Sequence, residues 1–194
     1  MILAIDTSSA RSALALIDDE GNVIHEEIDE SGPAFDLPSR YRKIASGKSI
    51  SRVAVATGPG SFTGLRVGVS FGLGLAIGLR IPIVPLPALG IQAARADAPV
   101  LAVTEAGRGR VYYQSPDGGR GVAEPEELPR DWPVVGWLRP KTQAELEGVG
   151  LRMEADAELR TFGAAAARLL ESAAEVAYGS VKVEYMQSFS ARTP

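Results

Sequence analysis

The sequence predicts an α/β fold of two related halves, each built on a mixed sheet, and three observations carry that prediction. Short apolar segments open the chain as an antiparallel meander, while the segments after residue 50 alternate strand with helix, as parallel units do. A strand–turn–strand pattern then restarts at Val100, after a helix that ends at Asp97-Ala98-Pro99. The halves are therefore drawn as residues 1–97 and 98–194, hairpin first and helices later in both.

Ile2-Leu3-Ala4-Ile5-Asp6 reads as a short buried strand and Thr7-Ser8-Ser9 as turn material. Ala13 to Ile17 returns as a second strand, Asp18 to Asn22 makes a loop, and Val23 to Ile28 supplies a third. Gly32 to Ser46 holds a short, poorly patterned helix or loop. Val53 to Ala56 is a fourth strand running into Thr57-Gly58-Pro59-Gly60-Ser61-Phe62-Thr63-Gly64, followed by a helix to about Leu79, a strand at Ile81 to Val84 and a helix at Ala88 to Ala96. Val100 to Glu105 and Val111 to Tyr113 form the next hairpin around Gly107-Arg108-Gly109. Val134 to Leu138 is a strand, and Thr161 to Ala174 is the clearest late helix.

The composition excludes several chemistries. With no cysteine among 194 residues there are no disulfides, thiolate metal sites or cysteine nucleophiles, and the single histidine, His25, cannot build a histidine metal cluster. A net charge of −4 argues against a general nucleic-acid binder. Its distribution is uneven, with −8 over residues 1–36, +8 over an acid-free stretch 37–96, and −4 over 97–194. Arg40, Arg42, Lys43, Lys48 and Arg52 could form a basic patch, although such runs are usually solvated faces, and few aromatics are interleaved for stacking. Asp6 ends the apolar start before an export signal can develop. The apolar run Leu65 to Leu79 is interrupted by Arg66 and holds four glycines, too short and glycine-rich to span a bilayer. A soluble cytoplasmic protein with no membrane partner is expected.

The loop at 57–64 is tight and poor in side chains, so its backbone could approach either a phosphate or another stretch of backbone closely. It is neither a P-loop, because Leu65-Arg66 stands where Lys-Ser/Thr is required, nor a dinucleotide fingerprint, because its spacing is G-x-G-x-x-x-G. Asp6, Thr7, Ser8, Gly58, Gly60 and Ser61 are the candidate nucleotide- or phosphate-binding residues; the alternative for Asp6 to Ser8 is a hairpin turn whose side chains bond their own backbone. Glu105 and Asp6 receive no acid–base role, since nothing in the spacing makes them neighbours.

In the helix that follows, Gly64-Gly68-Gly72-Ala76 form one small-residue stripe and Ser70-Gly74-Gly78, headed by Arg66, another roughly opposite. Larger apolar residues lie between them, which leaves no polar face for solvent. Four glycines from 68 to 78 cost about 3–4 kcal/mol relative to alanine, so close packing must offset them. One side is expected on the helix's own sheet and the other against a neighbour, either the second domain or another subunit. Gly64, Arg66, Val67, Gly68, Phe71, Gly72 and Leu75 are the candidate interface residues.

Several motifs together resemble the TsaB (YeaZ) family. They are Ile2-Leu3-Ala4-Ile5-Asp6-Thr7-Ser8, the signature Gly58 to Gly68, Gly78-Leu79 with Ile81-Pro82, the hairpin Glu105-Ala106-Gly107-Arg108-Gly109-Arg110-Val111-Tyr112, and Val183-Glu184-Tyr185-Met186-Gln187. The resemblance implies an actin/Hsp70/sugar-kinase-like (ASKHA) fold of two related subdomains with mixed sheets. It also implies a non-catalytic scaffold subunit of the complex that forms threonylcarbamoyladenosine beside the anticodon of ANN-decoding tRNAs. That subunit pairs with and supports the TsaD transferase through N-domain helices, is joined by a TsaE-like ATPase, forms a homodimer when alone, and meets tRNA indirectly through the complex. No cofactor is implied for the chain itself, with ATP or ADP at the subunit junction as the exception. The sequence departs from the family pattern at Gly32 to Pro38, which lacks the usual His-Thr or His-Ser pair, at Glu105 in place of Asp, at Gly107 in place of Arg, and in a trimmed C-terminal half.

Two readings from other classes compete with the scaffold: a nucleotide-dependent ATPase or kinase of the same fold using Asp6 and the glycine loop, and a glycoprotease-like peptidase. The peptidase ranks last, for want of a metal cluster or nucleophile–base pair. The scaffold reading expects Gly68→Leu or Gly72→Leu to break association.

Overall fold

The structure is a computed structural model and describes residues 1–30 and 35–185. Gly32 to Ala34 of the predicted helix-or-loop segment, and Met186 and Gln187 of the C-terminal motif, lie outside the described residues. Strands β1 (Ile2–Asp6), β2 (Ser12–Ile17) and β3 (Val23–Asp29) form the expected antiparallel meander. β4 (Arg52–Ala56) and β5 (Ile83–Leu86) add in parallel, giving the order β3-β2-β1-β4-β5. A second sheet repeats the plan. β6 (Leu101–Gly107), β7 (Arg110–Gln114) and β8 (Arg120–Ala123) are antiparallel, and β9 (Val134–Val135) joins β6 in parallel, in the order β8-β7-β6-β9.

Five α-helices among the described residues cover these sheets: α1 (Leu37–Ile44), α2 (Phe62–Leu79), α3 (Ala88–Ala94), α4 (Pro140–Gly148) and α5 (Phe162–Leu170). The central strands of the first sheet are buried on both faces, and alternate residues serve different layers. Ala4, Ala13, Ala15 and Ala54 face α3 and α5, whereas Leu3, Ile5, Leu14, Val53 and Val55 face α1 and α2. α3 also reaches the second sheet, where Leu89 packs with Ala102 and Tyr112. The boundary drawn at residue 97 falls between α3 and β6, and α5, late in the chain, packs back on the first sheet through Phe162, Ala165 and Ala166. Its first amides at Phe162 and Gly163 donate to Glu26 of β3.

The fifth strand starts two residues later than predicted because Arg80 and Ile81 terminate α2. Arg80 adopts φ +57°, and the Ile81 amide returns to the Ala76 carbonyl at 3.0 Å. Pro85 is tolerated because β5 is an edge strand. The strand expected at Val134 to Leu138 stops after two residues, since Trp137 turns into the α3–α5 layer, 6.0 Å from Phe162 and 5.1 Å from Arg95.

Arg95, only 5% exposed, ties the lobes together. Its guanidinium donates to Asp156 Oδ1 at 2.7 Å and to Gln92, and Arg11 of the β1–β2 turn holds the other Asp156 oxygen. Burial would raise the Asp156 pKa, but these two guanidinium groups outweigh it and hold the carboxyl below its ordinary value.

The basic run is partly neutralised by the acidic strand beside it. Arg40 donates to Glu27 at 2.8 Å and to Asp29 at 2.6 Å, Lys43 donates to Glu27 at 3.0 Å, and Arg52 pairs with Glu175 at 3.7 Å. Burial acts to raise the Glu27 pKa, but hydrogen bonds with Arg40, Lys43 and His25 lower it to about 2. A carboxyl depressed in the folded state stabilises the fold above its unfolded pKa, and that contribution is lost as pH falls from about 4.5 toward 2. Glu27→Gln is therefore expected to be less stable than wild type at pH 7, with the gap closing below about pH 4.5. Urea unfolding across that range measures it.

Candidate functional site

The β1–β2 turn and the glycine loop meet backbone to backbone. The Ser61 amide donates to the Ser8 carbonyl at 2.6 Å, and Thr7 Oγ1 donates to the Gly64 carbonyl at 2.6 Å. A Cβ on Gly60 would stand 2.2 Å from the Ser8 carbonyl oxygen, and one on Gly64 1.8 Å from that of Thr7. Of the two uses the sequence leaves open for these glycines, this contact realises close approach of another backbone. Ser61 caps α2, its Oγ accepting from the Gly64 amide at 3.2 Å.

Beside this contact a cleft of about 830 Å³ opens between the lobes. Thr7, Ser8, Gly60 and Ser61, four of the six candidate phosphate residues, line it. The other two are placed elsewhere. Asp6 is 1% exposed and does not line the cleft; its Oδ1 accepts from the Ser8 amide at 2.7 Å, and Oδ2 has no partner among the described residues. Burial raises the Asp6 pKa, offset in part by its bonds with Ser8. Gly58, with φ +113°, is covered by the chain's own C-terminal segment: its Cβ would lie 2.6 Å from the Glu184 carbonyl oxygen, and the Glu184 amide donates to the Thr57 carbonyl at 2.7 Å.

The opposite wall is the β6–β7 hairpin and the start of α4. Glu105 Oε1 accepts from the Arg139 amide at 3.0 Å and from Thr142 Oγ1 at 2.7 Å, so this carboxylate caps α4. Gly107, Arg108 and Gly109 are all left-handed, which puts a non-glycine cation at the hairpin tip. Ser61 Oγ takes the Gly64 amide at the start of α2, Glu105 takes the Arg139 amide at the start of α4, the Asp6 carboxyl is buried, and Gly58 is covered.

The two stripes of α2 have different fates. Gly64, Gly68 and Gly72, predicted at an interface, are buried against their own sheet: a Cβ on Gly68 would lie 2.4 Å from Thr7 Oγ1, and one on Gly72 2.3 Å from Val55 Cγ1. The glycines make room for β-branched and hydroxyl side chains of β1 and β4 and the turn after β1. A Cβ on Gly74 or Gly78 would meet nothing within 4 Å, and both glycines face outward with Ser70. Of the remaining interface candidates, Arg66 and Val67 are exposed, and Phe71 and Leu75 are half-buried, with Phe71 6.0 Å edge-on to Tyr41. Ile77, half exposed, also belongs to this outward face, which the sequence reading of the interface does not include, while half-exposed Phe62 lies on the flank toward Tyr185 and half-exposed Leu79 ends the helix. By length and composition α2 could cross a membrane, but its inner stripe is locked to β1 and β4.

The C-terminal segment from Val176 to Tyr185 runs along one flank of α2. The Val176 amide donates to Ile83, Tyr178 Oη donates to the Ala76 and Ile81 carbonyls, and Val181 and Val183 pack on the α2 side of the sheet. Tyr185 ends against Phe62, with ring centroids 5.5 Å apart. Valine and tyrosine spacing is the only local signal in this segment, and it does not specify a strap.

A family model described as TsaD, tRNA N6-adenosine threonylcarbamoyltransferase, matches residues 44–123. The chain is 32% identical over 162 residues to the Escherichia coli tRNA threonylcarbamoyladenosine biosynthesis protein TsaB, covering 70% of each chain. It is 33% identical over 146 residues to the Bacillus subtilis protein of the same name, covering 68% of this chain and 63% of that one. Among solved structures, YeaZ from Pseudomonas aeruginosa superposes with a TM-score of 0.72 at 23% identity, over 95% of this chain and 98% of the other, a likeness of fold.

Proposed function

Because the chain belongs to the family of the tRNA threonylcarbamoyladenosine biosynthesis protein TsaB, we propose that it serves that biosynthesis as a non-catalytic subunit which pairs with, and supports, a TsaD-like transferase. The observation that carries this reading is the outward face of α2, where Val67 and Ile77 stand exposed around the open stripe Ser70-Gly74-Gly78. Small residues let a second helix approach closely, and burying each half-exposed aliphatic side chain contributes about 1 kcal/mol. The TsaD family model matches the stretch that contains α2, so chain and partner would offer equivalent helices to each other. The same face would pair two copies when the partner is absent.

The cleft favours a supporting role over ATP hydrolysis, since Asp6, the carboxylate the hydrolysis reading would use, is buried and does not line it. ATP or ADP bound by the complex is assigned to the subunit junction. A TsaE-like ATPase completes the assembly, which works in the cytoplasm.

Reconstitution of tRNA modification with and without this chain tests the proposal. Threonylcarbamoyladenosine formation is expected to depend on the chain and to survive Asp6→Asn in any preparation that folds. Full modification without the chain, or ATP turnover by the isolated chain that Asp6→Asn abolishes, would contradict it.

A further inference from the structure

One end of the cleft, at the start of α2 where its flank turns from the outward face toward the β6–β7 hairpin, carries an aromatic and cationic surface. Phe62 is 50% exposed and Tyr185 46% exposed, and both line the cleft with their rings in contact. Arg66 stacks over the Phe62 ring, 3.7 Å from its centroid. Across the cleft stand Arg108, at the left-handed hairpin tip, and Arg110. The acids lining the same cleft are already engaged: Glu30 with Arg11, Glu145 with Lys141, and Glu105 with the start of α4 and with the Arg139 guanidinium at 3.5 Å. Arg66, Arg108 and Arg110 have no ion pair among the described residues.

From this juxtaposition we infer that the cleft mouth is a direct contact for single-stranded RNA, with a base stacked on the Phe62–Tyr185 pair and the backbone passing Arg66, Arg108 and Arg110. Exposed aromatic rings flanked by cations bind unpaired strands because every base offers a flat face and every linkage a charge. A free nucleotide is the poorer match, because the cations are spread across the cleft, Arg66 beside Phe62 and Arg108 and Arg110 on the facing hairpin, as a strand requires, and are not gathered about one polyphosphate. The inference rests on the proposed role in tRNA modification and sharpens it, since it gives this subunit its own contact with the RNA loop instead of access only through the partner.

The test uses the full chain, alone and assembled with the TsaD-like subunit, and an anticodon stem-loop RNA carrying a photoactivatable uridine. Cross-links are expected at Phe62 or Tyr185. Tyr185→Ala should weaken binding about fivefold or more while leaving the salt dependence nearly unchanged. Arg108→Gly, which suits the left-handed turn, combined with Arg110→Gln should flatten the slope of log affinity against log salt by about 1.4. Assembly with the partner, measured by sedimentation, should be unaffected in both variants. RNA binding equal to wild type in both, cross-links confined to other surfaces, or displacement of the RNA by stoichiometric ADP would overturn the inference. If modification still requires the chain while these variants are silent, the RNA contact alone fails; if modification does not require the chain, the proposed function fails first.

Discussion

Gly64→Ala is expected to unfold the chain, with a loss exceeding about 4 kcal/mol, while Gly74→Ala ten residues along the same helix is expected to gain up to about 1 kcal/mol. The added methyl at Gly64 meets the Thr7 carbonyl oxygen at 1.8 Å, and backbone cannot swing aside as a side chain can. Relief would require parting the β1–β2 turn from α2, breaking the Thr7–Gly64 and Ser61–Ser8 hydrogen bonds together. At Gly74 the methyl meets nothing within 4 Å, so only the helix propensity of alanine remains. Urea unfolding of the two variants separates them, and equal destabilisation would contradict the packing described for the two stripes.

Ile77→Glu is expected to weaken pairing with a TsaD-like subunit, and self-association, by about 100-fold or more without changing the urea midpoint. Its side chain is half exposed, so the free chain tolerates the charge, whereas a helix laid on the outward face would bury the carboxylate without a partner. Gly68→Leu and Gly72→Leu, which the sequence suggests as interface probes, are unsuitable for this purpose. They push into Thr7 and Val55 and would damage the fold before any interface.

The two stripes show where sequence reading succeeds and where it stops. Periodicity alone locates both small-residue stripes and the need for packing on two sides, because a helix repeats every 3.6 residues whatever surrounds it. Which stripe faces inward depends on the rotation of α2 on its sheet. That rotation is set by Thr7, Ile5 and Val55, outside the helix in sequence, so periodicity assigns Gly64, Gly68 and Gly72 to the wrong neighbour. The meander and the parallel units are legible because their strands are apolar and bounded by turn residues. β8, Arg-Gly-Val-Ala, offers no alternation, and α4 buries only Leu146, so neither announces itself. In the cleft, Thr7, Ser8, Gly60 and Ser61 can be placed because turn and loop both follow strand ends. The covering of Gly58 by Glu184 and the capping of α4 by Glu105 join residues far apart in the chain, contacts that no local pattern encodes.

The outward face of α2 as the partner-binding surface is the claim on which the functional account turns. A photo-crosslinking amino acid placed at position 74 in the full chain, irradiated in the presence of the TsaD-like subunit, tests it directly. A covalent adduct between the two subunits from position 74, and none from exposed Glu20 on the β2–β3 loop, is the predicted result. No adduct from position 74, in a mixture where tRNA modification still depends on this chain, would contradict it.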